Sequence, residues 1–182
     1  MNHYLKYVVL ITGLLFLILS CSLPWGEEQW PVEDITPGTV YCSPRETTRL
    51  IGGEIELKFY VNSGTQKIGA YGIHFKFDRN LLQIDTSKSE NGAEQGTDGI
   101  PILANPEYYL KDPNYQYSVA GLVVGKGGAG PGTKLHLFTV YLKTKAKGTA
   151  KIDITVDNLA DSENTDKTVG VPKGLGATIA IK

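Results

Sequence analysis

The stretch at residues 67–84, KIGAYGIHFKFDRNLLQI, limits the available folds more than any other part of the chain. From Tyr71 to Phe77 the odd positions are Tyr71, Ile73, Phe75 and Phe77, and the even ones are Gly72, His74 and Lys76. Strict alternation of apolar and polar residues describes a β-strand with one buried face. Each of those four large side chains contributes roughly 1.5–3 kcal/mol when fully buried. Asp78-Arg79-Asn80 then turns the chain, because Asp and Asn side chains bond their own backbone. A short apolar run, residues 81–84, follows.

The same period recurs along the chain. Residues 54–62 (EIELKFYVN) put Ile55, Leu57, Phe59 and Val61 on one face, between Gly52-Gly53 and Ser63-Gly64 as turn punctuation. Residues 39–43, 116–124, 135–143, 150–156 and 177–181 also read as strands. Seven or eight strands, closely spaced turns and no amphipathic helix predict an all-β, antiparallel two-sheet β-sandwich. Residues 157–167 (DNLADSENTDK) read as a polar loop. Residues 86–114 form a long excursion, polar at first and then tyrosine-rich, and long excursions often carry function. The glycine-rich residues 125–132 (GKGGAGPG) lack the Gly-Lys-Ser/Thr ending of a phosphate loop, so no nucleotide cofactor is expected.

Residues 1–20 read as an export signal. Lys6 is the positive n-region, and residues 7–19 are an apolar run too short to span a bilayer comfortably. The run ends in Leu19-Ser20-Cys21, which resembles a bacterial lipobox, although the pattern prefers a smaller residue where Leu19 stands. The resemblance implies cleavage before Cys21, acylation of Cys21 and a lipid-anchored protein on the bacterial envelope. A plain signal peptide or an uncleaved anchor are the other readings of the same run. Residues 21–37, with Trp25 and Trp30, form a Pro- and acid-rich tether, and residues 38–182 form one domain. The formal net charge of −1 with no basic cluster excludes a nucleic-acid partner of the usual kind. With Cys21 lipidated, Cys42 has no disulfide partner and reads as a buried structural thiol.

A family resemblance rests on three pieces: Lys67-Ile68-Gly69-Ala70-Tyr71, Phe75-Lys76-Phe77-Asp78 and Leu81-Leu82-Gln83-Ile84. Together they resemble the central motif of bacterial cohesin domains. Residues 134–143, 147–149 and 156–161 resemble that family's later strands and loop. The resemblance implies a jelly-roll sandwich of about nine strands, related to carbohydrate-binding modules, and a dockerin-like protein partner. In cellulosomal members an Asn and an Asp on the outward face of this strand hydrogen-bond the dockerin. Those places align with Ala70 and Gly72, whose side chains neither donate nor accept. What remains is a smooth face beside His74, open to close approach by a partner backbone or to packing under the long loop.

No catalytic constellation is visible, and no metal or cofactor is expected. His74 is predicted to point outward, and His136 to fall on the Phe138 side, without metal-ligand spacing. The carboxylates Asp157, Asp161, Glu163 and Asp166 lack EF-hand order and read as a solvated loop. Tyr108, Tyr109, Tyr115 and Tyr117 are candidate contact residues, since rings with polar tips suit interfaces and sugar stacking; the other reading is that they staple the long excursion onto the sandwich. The expectation is a non-catalytic surface lipoprotein that binds a protein partner; the alternative is a carbohydrate-binding module acting on polysaccharide.

Overall fold

The computed structural model describes residues 35–89, 91–98, 100–105, 117–123 and 127–182. Among these, the chain runs through β1 (Thr39–Ser43), β2 (Glu46–Arg49), β3 (Glu54–Val61), β4 (Ile68–Phe77), β5 (Leu82–Ile84) and β6 (Ala93–Gln95). It continues through β7 (Ile102–Asn105), β8 (Tyr117–Leu122), β9 (Leu135–Thr144), β10 (Gly148–Asp161), β11 (Lys173–Leu175) and β12 (Ala177–Ile181). One sheet has the order β11-β1-β3-β9-β5, with β6 also on β9; the other has the order β2-β12-β10-β4-β8-β7. The chain is thus all-β, a two-sheet sandwich.

The alternation seen in the sequence sorts the side chains as expected. Ile55, Leu57, Phe59 and Val61 of β3 and Tyr71, Ile73 and Phe75 of β4 are each at most 2% exposed. One continuous core joins them to Leu137, Phe138, Val140 and Leu142 of β9 and Ile179 and Ile181 of β12. Among the described residues, every member of that core lies between Val40 and Ile181.

Three features depart from the simple reading. The sheets are mixed rather than purely antiparallel, because β1 pairs with β11, and β12 with β2, in parallel. Both parallel partners are short edge strands with little apolar content, and so they carry no period to detect. Second, β10 runs on to Asp161, through residues that read as a loop. Third, Phe59 pairs with Phe138 and Tyr60 with His136, so Leu137 is the extra residue of a β-bulge. The bulge puts His136 on the face away from Phe138. There its Nδ1 accepts from the Thr97 amide at 3.2 Å, so Nε2 carries the proton toward Thr139 Oγ1 at 2.9 Å. Burial, followed by the Lys58 charge, lowers the His136 pKa, in keeping with a neutral ring.

Cys42 is fully buried among the core side chains, as a structural thiol. Asp85 is the buried carboxylate that closes β5. It accepts from the Ser87 hydroxyl at 2.6 Å and the Ser87 amide at 3.0 Å, and Lys143 Nζ lies 2.9 Å away. Those hydrogen bonds, the Ser87 hydroxyl first and then Lys143, lower its pKa from 3.8 to about 2. A carboxyl whose folded pKa is depressed stabilises the fold above its unfolded value, and the gain is lost as pH falls through the folded value. Asp85→Asn is therefore expected to flatten the loss of stability between about pH 4 and about pH 2. Urea midpoints of the two proteins across that window measure it; parallel curves would remove Asp85 from the acid response.

Candidate protein-binding face

The second sheet places β4 between β10 and β8, so its outward residues sit at the centre of a broad face. Ala70, Gly72, His74 and Lys76 alternate with the buried residues and point away from the core. Register extends the face on both sides. Across β8, Ala70 lies opposite Leu122, Gly72 opposite Ala120 and His74 opposite Ser118. Across β7, Ala120 lies opposite Leu103. Across β10, Gly72 lies opposite Asn158 and His74 opposite Thr155.

Two halves of different chemistry result. Toward β7, Leu103 is 73% exposed and Leu122 59% exposed, with Ala70, Gly72 and Ala120 between and beside them. Large aliphatic side chains that flank small ones give a smooth apolar platform, the kind of surface that marks an interaction site. Among the described residues Gly72 is not demanded by internal packing: the nearest atoms a Cβ there would meet are Asp157 Cβ at 3.7 Å and Asn158 atoms at 3.9 and 4.0 Å, ordinary contact distances.

Toward β10 the face is polar. The register shifts between Val156 and Asn158, so Asp157 is the extra residue of a bulge and its carboxylate reaches across to β4. His74 Nδ1 lies 2.7 Å from Asp157 Oδ2. A carboxylate only accepts, so Nδ1 carries the proton of this contact and donates it. Asp157 and Asn158, which read as loop in the sequence, are thus strand residues of this face.

The structure brings Ala70, Gly72 and His74 together and adds Leu103, Leu122, Asp157 and Asn158, which sequence reasoning missed. Tyr117 does not join them. Its ring is fully buried against Phe75, with centroids 5.3 Å apart, and its hydroxyl donates to the Asn91 carbonyl. It is a core residue rather than a contact residue. A signal for both facts was present: Tyr117, Val119 and Gly121 alternate with Ser118, Ala120 and Leu122, so Tyr117 inward forces Leu122 outward. Tyr108, Tyr109, Tyr115, Cys21, Trp25 and Trp30 lie outside the described residues.

Among the described residues no three His, Cys, Asp or Glu side chains gather as a metal site. In the acidic loop after β10, Asp161 accepts from the amides of Glu163 at 2.7 Å and Asn164 at 3.2 Å and from Gln66 Nε2 at 2.9 Å. The Glu163 amide first, then Gln66, lowers its pKa. Its oxygens are committed to the turn and to Gln66. No helix among the described residues is long and apolar enough to cross a membrane.

No protein-family model matches the chain, and neither does any curated protein. Solved structures do resemble it, and they are cohesins. The seventh ScaB type I cohesin from Pseudobacteroides cellulosolvens superposes with a TM-score of 0.60 at 14% identity, covering 79% of this chain and 91% of that one. A cohesin–dockerin complex from Clostridium thermocellum gives 0.60 at 17% identity, over 79% of this chain and 99% of the other. A non-cellulosomal cohesin from the archaeon Archaeoglobus fulgidus gives 0.56 at 15% identity, over 79% and 90%. At such identities the likeness concerns the fold: the chain has a cohesin-like jelly-roll sandwich.

Proposed function

We propose that the chain is a non-catalytic lipoprotein of the bacterial envelope, acylated at Cys21, whose cohesin-like sandwich binds a protein partner on the outer face of β4, β8 and β7. The observation that carries this reading is the exposed pair Leu122, opposite Ala70, and Leu103, opposite Ala120, beside the small residues Ala70, Gly72 and Ala120. The fold adds support, since a structural neighbour is a cohesin in complex with a dockerin. A dockerin-type module is the partner class that this kinship favours. Contact here would be largely apolar, because Ala70 and Gly72 stand where the cellulosomal cohesins carry hydrogen-bonding side chains. His74, Asp157 and Asn158 supply the polar edge that sets orientation. The protein reading is preferred to the polysaccharide one, since Tyr117 is withdrawn into the core and, among the described residues, the exposed face offers leucines rather than rings.

Titrating a form spanning residues 22–182 against dockerin modules from the same cell measures the reading. Leu122→Asp is expected to weaken binding at least tenfold, about 1.4 kcal/mol, because it sets a charge in the middle of the apolar half. Equal affinity of parent and variant would dismiss this face, and binding only on a glycan array would replace the protein partner with a sugar. Lipidation is checked separately: full-length protein from cells fed labelled palmitate should carry label, and Cys21→Ala should carry none.

A further inference from the structure

A second exposed apolar feature lies at one end of the sandwich, away from the face just described. The turn between β2 and β3 carries Leu50, 71% exposed, and Ile51, 56% exposed, side by side at its tip. Loop tips are ordinarily polar, and two adjacent large aliphatics there call for an explanation. The tip is also held firmly. The Ile51 amide donates to the Lys182 carbonyl, the Gly52 amide to the Thr144 carbonyl and the Gly53 amide to the Leu50 carbonyl, at 3.0–3.3 Å. The Thr144 hydroxyl donates to the Leu50 carbonyl at 2.7 Å. Three successive amides thus need no water, which lowers the cost of taking this backbone out of water. Gly52 supplies the left-handed conformation, φ 78°, that the turn requires.

Cations ring this tip. Arg49 precedes it, and the Arg49 carbonyl accepts from the Lys182 amide at 3.0 Å. Lys145 follows Thr144, its amide bonded to Leu81 and its ammonium donating to the Arg79 carbonyl at 2.7 Å. Lys147 lies two residues beyond, and both it and Lys145 are exposed. Two carboxylates share this end. Asp78 caps the Asn80 amide, and Glu54 lies within 3.8 Å of both Lys88 and Lys143. Arg49, Lys145, Lys147 and Lys182 therefore outnumber the acids, in a chain whose formal net charge is −1.

An aliphatic point within a cationic rim fits an anionic lipid surface. Aliphatic side chains gain by entering the acyl boundary, and each Lys or Arg near the headgroups adds an attraction that salt screens. We propose that the β2–β3 turn is a membrane-contact tip that inserts Leu50 and Ile51 between anionic lipids while Arg49, Lys145, Lys147 and Lys182 meet their phosphates. The contact is independent of an acyl anchor. The described chain begins at the other end of β3, where Asn62 Nδ2 donates to the Ile35 carbonyl at 2.7 Å.

The test uses the form spanning residues 22–182, which lacks Cys21 and keeps every core residue among those described. Co-sedimentation is measured with phosphatidylcholine vesicles with and without one-third phosphatidylglycerol. Binding is expected to the anionic vesicles alone and to fall as salt is raised. Leu50→Ser with Ile51→Ser is expected to weaken it roughly tenfold or more, and Lys145→Glu with Lys147→Glu by a similar factor. Because all four residues are at the surface, thermal midpoints should stay within about 2–4 °C of the parent. Absence of binding to anionic vesicles overturns the proposal, as does binding that both double variants keep, which would locate it in residues 22–34. A concentration-dependent dimer that Leu50→Ser with Ile51→Ser abolishes, without vesicle binding, also overturns it and makes the tip a self-association contact.

Discussion

Phe75→Ala is expected to lower the stability of the domain by about 3–5 kcal/mol, the range for deleting a buried aromatic ring. The ring is fully buried on β4, and its neighbours belong to both sheets. Its centroid lies 5.0 Å from that of Phe59 on β3, 5.3 Å from Tyr117 on β8 and 6.1 Å from Phe77 on its own strand. Phe59 in turn stacks on Phe138 of β9 at 4.4 Å, and Phe138 on Tyr71 at 6.1 Å. These aromatic contacts bridge the two layers, so truncating Phe75 leaves a void where the sheets meet rather than at a rim that can collapse. The midpoint of thermal unfolding should fall by on the order of 10 °C. Phe75→Leu, which keeps most of the volume, should cost much less. A loss below about 1 kcal/mol for the alanine variant would mean that the layers are not joined through this ring.

How far the sequence anticipates this arrangement depends on where a strand's partners lie. β3, β4 and β12 each bury one face against the opposite sheet, as β9 does on either side of its bulge, and their apolar residues recur at every second position there for that reason. β2 (ETTR) and β11 (KGL) serve as edges, attach through backbone hydrogen bonds and bury little, so nothing in their composition distinguishes them from turns. β10 beyond Val156 is a different case. Asp157 and Asn158 break the alternation because a bulge places both on the outer face, and only pairing with β4 keeps them in a strand. The candidate face was half legible for the same reason. Ala70, Gly72 and His74 follow from the period of β4, whereas Leu103 and Leu122 depend on which strands flank it. Of the two readings of Tyr117, contact surface or staple for the excursion, the structure places its ring in the core, with the hydroxyl satisfied by the Asn91 carbonyl of that excursion.

Two glycines in neighbouring strands show how differently an absent side chain can be used. Gly121 on β8 lies directly opposite Tyr71 on β4, on the buried face. A Cβ there would stand 2.2 Å from Tyr71 Cε1, 2.5 Å from its Cζ and 2.8 Å from Ile100 Cγ2. The Tyr71 ring has little room to retreat, since it stacks on Phe138 and its hydroxyl reaches the Leu137 carbonyl at 3.5 Å. Gly121→Ala is therefore expected to cost about 1–3 kcal/mol through overpacking, against any gain from a stiffer unfolded chain. Gly72, one residue along β4 from Tyr71, faces outward, where a Cβ would meet Asp157 and Asn158 at ordinary contact distances of 3.7–4.0 Å, and Gly72→Ala should leave stability within about 0.5 kcal/mol of the parent. Their effects on a partner should be reversed. Folded Gly121→Ala keeps the outer face and hence its affinity, whereas Gly72→Leu, folded as well, raises a side chain on the platform and blocks close approach. Urea denaturation and partner titration of the three variants measure both axes. If Gly72→Ala proves the more damaging to folding, the two faces of β4 are interchanged and the assignment of Ala70, Gly72 and His74 to a binding surface fails with them.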